Sequence, residues 1–215
     1  GIRVVAFTRE DTPLGKLATT VISAPVATGR CDFTYLLFQA FALRLLNLRG
    51  DFDRYDDYMA QTKNLFQDLV DIRIKFEPKA EQIAKQFAEE PYTIFIASGA
   101  LWGENVLFSM CVLEEMQWIR TRAVTSAEFF HGTLELVEPG VPVIITKGED
   151  ECRELDNRAE VFCKQYTDKL AVIDTAEYAV SGLDDEFRPL VSPMIAAATL
   201  HERLSKHYER ITKHN

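Results

Sequence analysis

The sequence predicts an α/β protein, a three-layer sandwich with helices on both faces of a mostly parallel sheet. Two observations carry that expectation. Short strand-like segments alternate with helix-period segments, and such alternation calls for crossover connections between parallel strands. The 215 residues, 47% hydrophobic and 27% charged, have ordinary globular composition and are enough for one or two domains.

The elements follow in order. A strand over 2–7 leads to the turn-rich Asp11-Thr12-Pro13-Leu14-Gly15, a short helix, and a strand over 20–23 that Pro25 ends. Residues 33–48 form a helix that is apolar on nearly all sides, so it should be buried in the domain or against a partner. The Asp-rich stretch 49–57 reads as a hinge or loop. Two amphipathic helices follow, over 54–75 and 78–89, the first with Met59, Leu65, Leu69 and Ile72 near helical spacing. Pro91 then precedes a strand over 92–97. A turn at Ser98-Gly99 leads into a helix over 104–119, whose Leu107, Met110, Cys111 and Leu113 are expected in the core. Strands are expected over 123–125, 141–146 and 170–174, with helices over 151–166 and 189–208.

The net charge of −9 argues against nucleic acid or an anionic membrane as a partner, and no apolar run reaches membrane-spanning length. A small anionic substrate is still allowed, because a few backbone N–H groups or one Arg can hold a phosphate locally. The four cysteines form no C-x-x-C pair. Cys152 and Cys163 on one helix would lie about 16 Å apart, too far for a disulfide. Free thiols point to a reducing, cytoplasmic setting.

Four places could carry chemistry. Ser98 and Gly99, at a strand-to-helix turn, could offer backbone N–H groups to a phosphate or sugar oxygen, or be an ordinary βα turn. Glu114 and Glu115 end an almost wholly apolar helical run. A carboxylate buried there would gain basicity, whereas an exposed one would cap the helix or pair with Arg120 or Arg122. His131, in Glu128-Phe129-Phe130-His131-Gly132, interrupts regular structure and is either a proton-transfer group or a structural histidine. His201, His207 and His214 read as solvated surface on a polar helix. The acidic runs near 51–57 and 149–154 match no calcium or zinc motif and read as a solvated face.

The segments Glu115-Met116-Gln117-Trp118-Ile119 and Ala127-Glu128-Phe129-Phe130-His131-Gly132 resemble sugar isomerase (SIS) domain proteins, and more narrowly the fructosamine 6-phosphate deglycases. The stretch Glu135-Leu136-Val137-Glu138-Pro139-Gly140-Val141-Pro142 is similar as well. The resemblance implies two SIS domains in tandem with the first truncated: residues 1–50 as part of the first, 51–75 as a linker helix, and 76–210 as the second. It implies that Glu115 moves a proton between sugar C-1 and C-2 and that His131 opens the ring and acts as acid. Ser98, Gly99 and Glu128 would contact the substrate. It also implies a homodimer or higher homo-oligomer, a small phosphorylated sugar-amine substrate, and no metal or organic cofactor. One position departs from the pattern: Thr133 stands where Pro usually follows His-Gly, which predicts a looser loop. The alternatives are a non-catalytic sugar-phosphate sensor, an isomerase domain like that of glucosamine 6-phosphate synthase, and an inactive fragment. A sensor needs no acid–base pair, and no basic DNA-binding segment is present.

Overall fold

The computed structural model describes residues 1–23 and 31–214; Pro25 lies outside the described residues. Strand β1 (Val5–Phe7), helix α1 (Pro13–Leu17) and strand β2 (Thr20–Ile22) form a small parallel unit with Val5 opposite Thr20. Thr12 caps α1 by accepting the Gly15 N–H at 3.0 Å. Helix α2 (Cys31–Arg49) follows. Within the described chain it buries only Asp32 and Leu43, while Phe38, Phe41, Leu45, Leu46 and Leu48 stay exposed. The expected burial of α2 is therefore not met within one chain.

The helix pair falls elsewhere than the periodicity suggested. Helix α3 (Tyr55–Gln61) is short, and α4 (Leu65–Phe87) runs straight through Pro78. A proline inside a helix costs about 3 kcal/mol. Leu65, Leu69, Ile72 and Phe76 before it, and Ala80, Ile83, Ala84 and Phe87 after it, all lie in the core. Each large apolar side chain so buried contributes roughly 1.5–3 kcal/mol, so the continuous stripe outweighs the lost bond.

The main sheet contains β3 (Thr93–Ile96), β4 (Thr121–Val124), β5 (Val143–Lys147) and β6 (Leu170–Asp174), ordered β4-β3-β5-β6 and parallel throughout. The predicted sandwich is thus observed. Side chains alternate across it. Phe95, Ile144 and Ile173 face a cluster with α4, Phe108, Leu113 and the C-terminal helices α8 (Arg188–Thr199) and α9 (Ser205–Thr212). Ile94, Ile96, Val143 and Ile145 face the other cluster, with Phe129 of α6 (Ser126–Phe129) and Ala159 and Cys163 of α7 (Arg153–Tyr166).

Between β3 and β4, helix α5 (Trp102–Val106) continues as a π-wound helix, Leu107–Met116. In this winding each N–H reaches back five residues, so residues five apart share a face. Phe108 and Leu113 are fully buried, whereas Leu107 and Cys111 are half-buried and Met110 is exposed. The expected core face was drawn for an α-helix, and of the four residues named only Leu113 is buried.

At the end of β6, Asp174 accepts both Arg153 guanidinium nitrogens at 2.9 and 2.7 Å and the Ala176 N–H at 3.0 Å. Burial pushes its pKa up, but Arg153, Ala176 N–H and Lys147 outweigh burial and hold it below the ordinary value. A lowered folded-state pKa stabilises the fold above the unfolded value of about 3.9, and that contribution is lost as pH falls through the folded value. Asp174→Asn should therefore cost about 1–3 kcal/mol in urea melts at pH 7. The gap should narrow as pH falls below about 3.9; a gap that does not narrow there would refute the pairing. In the same melts Leu113→Ala should cost ~2–5 kcal/mol. Met110→Ala should stay within about 0.5 kcal/mol of wild type.

Candidate functional site

The helix carrying the two adjacent carboxylates ends at Gln117, whose N–H donates to the Val112 carbonyl at 3.1 Å. Ile119 N–H donates to the Leu113 carbonyl at 2.9 Å. Glu114 Oε1 accepts the Thr121 hydroxyl at 2.6 Å, at the start of β4. Glu115 is exposed, and its side chain makes no hydrogen bond or ion pair among the described residues. Burial and exposure were both open here; the π winding leaves Glu115 off the face that Phe108 and Leu113 bury. The buried carboxylate of this helix is Glu104, 1% exposed. It accepts the Tyr35 hydroxyl at 2.6 Å and lies 2.8 Å from His201 Nε2. Burial, then the Glu104 bond, pushes the Tyr35 phenol pKa up.

His131 follows β4 and α6. Thr125 caps α6: its hydroxyl accepts the Glu128 N–H at 3.1 Å and donates to Glu128 Oε2 at 3.2 Å. Glu128 is thus engaged in a cap, although exposed. Phe129 is buried and Phe130 packs on Phe162, which anchors the loop, while the His131 side chain is exposed and unpartnered among the described residues. Gly132 adopts φ +144°, which favours glycine. Thr133 is buried, and its hydroxyl accepts Arg122 Nε at 3.0 Å, a bond between this segment and β4. Glu115 precedes the N-terminal end of β4 and His131 follows its C-terminal end. No side-chain hydrogen bond or ion pair joins them.

The Ser98–Gly99 turn is partly engaged from within the chain. Ser98 is buried, and its hydroxyl accepts the Ser126 N–H at 2.9 Å. Gly99 has φ +56°, and the Ala100 N–H donates to Asp150 Oδ2 at 2.7 Å. A Cβ on Gly99 would lie 2.1 Å from that carboxylate, so only glycine fits beneath it. A ligand oxygen at the Ala100 N–H would have to displace Asp150. Below the turn, buried Asp156 accepts the Ser126 hydroxyl at 2.5 Å. Burial raises its pKa against the lowering effect of Ser126 and Ser98.

Two of the three C-terminal histidines are not solvated surface, contrary to expectation. His201 pairs with Glu104, and buried His207 lies 3.1 Å from Glu77 Oε1. His214 is half-buried, its ring 4.3 Å from that of Trp118. Leu200, Leu204 and Tyr208 form the apolar stripe that turns this helix inward. That spacing was present in the sequence and would have found them. The four cysteines are free, and no group of three or more His, Cys, Asp or Glu could hold a metal among the described residues. No described helix is long and apolar enough to cross a membrane.

No protein-family model matches the chain. It is 40% identical over 116 residues to the fructosamine deglycase of Bacillus subtilis, covering 54% of this chain and 35% of that protein. It is 38% identical over 102 residues to the fructoselysine 6-phosphate deglycase of Escherichia coli K12, covering 47% of this chain and 30% of the relative. The chain thus spans about a third of the length of these curated relatives. A solved structure of a candidate phosphosugar isomerase from Bacillus subtilis superposes with a TM-score of 0.89 at 27% identity, covering 98% of this chain and 65% of the other. The C-terminal domain of a glucosamine-fructose-6-phosphate aminotransferase from Francisella tularensis shares the fold (TM-score 0.80, 17% identity, 98% of this chain, 64% of the other). The resemblance to sugar isomerase domain proteins read from the two motifs is borne out, and the fold is theirs.

If Thr133 fastens the His131 loop, Thr133→Val should lower stability by about 0.5–1.5 kcal/mol. Amide exchange should quicken within residues 131–137. Unchanged exchange there would show that the Arg122 bond does not hold the loop.

Proposed function

We propose that the chain carries the proton-transfer half of a deglycase acting on a fructosamine 6-phosphate, such as fructoselysine 6-phosphate, and releasing glucose 6-phosphate and a free amine. The observation that carries this reading is the division of labour at Glu114-Glu115. One carboxylate is tied to Thr121; the other is unpartnered at the helix end, within the motif shared with the deglycases. The relatives' names support the substrate class.

In this reading His131 first helps open the sugar ring. Glu115 then takes a proton from C-1, the carbon that bears nitrogen, giving an enolamine. Return of the proton to C-2 gives a C-1 imine. Water hydrolyses that imine to the aldose phosphate and the amine, so one water is consumed and no electrons are exchanged. Such a shift needs only a positioned base and acid, without metal or organic cofactor. The tandem division at residues 50 and 75 is part of the proposal, as is the substrate contact by Ser98, Gly99 and Glu128. A contact at the Ala100 N–H of that turn requires Asp150 to yield, and one by Glu128 requires it to release Thr125. The free thiols support a reducing, cytoplasmic setting. Glu115 and His131 flank opposite ends of β4, so we assign them to one site across two copies of a homo-oligomer.

Losing a positioned acid or base lowers rates by ~10²–10⁴. In the full-length protein, Glu115→Gln and His131→Ala should each lose at least about a hundredfold in turnover of fructoselysine 6-phosphate, with folding kept. Glu114→Gln should lose far less. Mixing the two inactive variants should restore about a quarter of the activity, because half the dimers would be mixed with one intact site each. Near-normal turnover of Glu115→Gln would sink the base assignment. Failure of mixing to restore activity, with dimers exchanging, would sink the shared site.

A further inference from the structure

We propose that Gln117 is a positioning residue. It fastens the helix end that carries Glu115 to the end of α9 and so fixes where that carboxylate is held. The proposal rests on Glu115 acting as the base.

Gln117 is 4% exposed. Both ends of its amide are engaged, and both on one distant segment. Nε2 donates to the His214 carbonyl at 3.1 Å, and Oε1 accepts the Thr212 hydroxyl. The His214 N–H in turn donates to Thr212 Oγ1 at 3.3 Å. A second observation meets the first. Among the described residues, the non-glycine residues with positive φ are Trp118, at 58°, and Lys213, at 59°. They flank this junction from its two sides. Trp118 turns its ring against His214, and Lys213 closes α9 through its N–H to the Glu209 carbonyl at 2.9 Å. Left-handed backbone at a bulky residue persists only where surrounding contacts over-determine it, and such strain gathers at functional sites.

Helix ends fray unless they are tied. Glu115 lies two residues before Gln117, in the last turn of the π-wound helix, with no bond of its own to steady it. Glu114, one residue before it, holds to Thr121 at the start of β4, and the Gln117 amide is the tie on its other side, to α9. A base must be held within a fraction of an ångström of the carbon-bound proton, and a 1 Å displacement lowers rates by about 10². A Gln that merely satisfied its own burial would affect stability and leave the balance between binding and turnover unchanged.

Gln117→Met keeps the length and loses both bonds; Thr212→Val removes the partner hydroxyl with its shape kept. Hydrogen exchange at the Gln117 and Ile119 amides should quicken at least about tenfold in each variant, and no further in the double variant, since both act on one tie. In the full-length protein each variant should lower kcat on fructoselysine 6-phosphate about tenfold, with KM within about twofold. Unchanged exchange overturns the tie. Faster exchange with unchanged kcat, or a loss confined to KM, overturns the positioning role. Glu115→Gln measured alongside separates the two claims. If it keeps its turnover, the base assignment fails and the positioning role with it, while exchange still reports whether the tie exists.

Discussion

Strands β3 and β5 carry apolar side chains on both faces, Ile94 and Ile96 against Phe95, and Val143 and Ile145 against Ile144. Neither face of the sheet can be left to water, so every connection must carry a helix across it. That requirement fixes where chemistry can sit. The strands all run one way, so the turns that follow them gather at one edge of the sheet: Ser98-Gly99 after β3, the His131 loop after β4, Asp150 after β5. The helices return to the opposite edge, and there the π-wound helix delivers Glu114 to Thr121 and leaves Glu115 outside. Glu115 and His131, on consecutive segments of one chain, are thus directed to opposite ends of β4 by the topology itself.

Three buried or half-buried carboxylates among the described residues each hold a partner. Glu104 has Tyr35 and His201, Asp156 has Ser126, and Asp174 has Arg153. Each of these pairs joins segments far apart in sequence, as an unpaired buried carboxylate would be too costly to keep. Asp150 does the same for the N–H of Ala100. The turn that looked ready for an external anion has one supplied by the chain.

The fold was legible because strand and helix periods alternate clearly, and the strands at 92–97, 141–146 and 170–174 fell within a residue or two of their places. Helix winding was not legible. Nothing in Leu107 to Met116 announces a five-residue spacing, and an α-helical wheel put Met110 in the core. Two helices were expected over 54–75 and 78–89, and the apolar stripe on both sides of Pro78 joins the stretch across 75–78 into one. Glu115 and His131 were singled out through motif, and whether Glu115 is buried stayed open, since an apolar run of residues suggests burial whatever the winding. Thr133 shows the same limit. Its departure from Pro suggested slack, while the bond its hydroxyl accepts comes from Arg122, a residue on another element.

On the proposed reading, the exposure of Glu115 says how the site must be completed. Water solvates a free carboxylate and must be shed before it can take a proton from carbon. Nothing in the described chain sheds it: the side chain has no cover and no partner. The same helix end also exposes apolar side chains: Met110, Met116 and Trp118 are 51%, 46% and 74% exposed and stay wet until something lies over them. A sugar phosphate alone is too polar to cover such a rim well. A second protein surface bringing its own His131 would exclude water and supply the acid in one step. The separation of Glu115 from His131 along β4 and the uncovered apolar rim are then two consequences of the same arrangement. The chain holds the base in place, and dehydration comes with the contact that brings the acid.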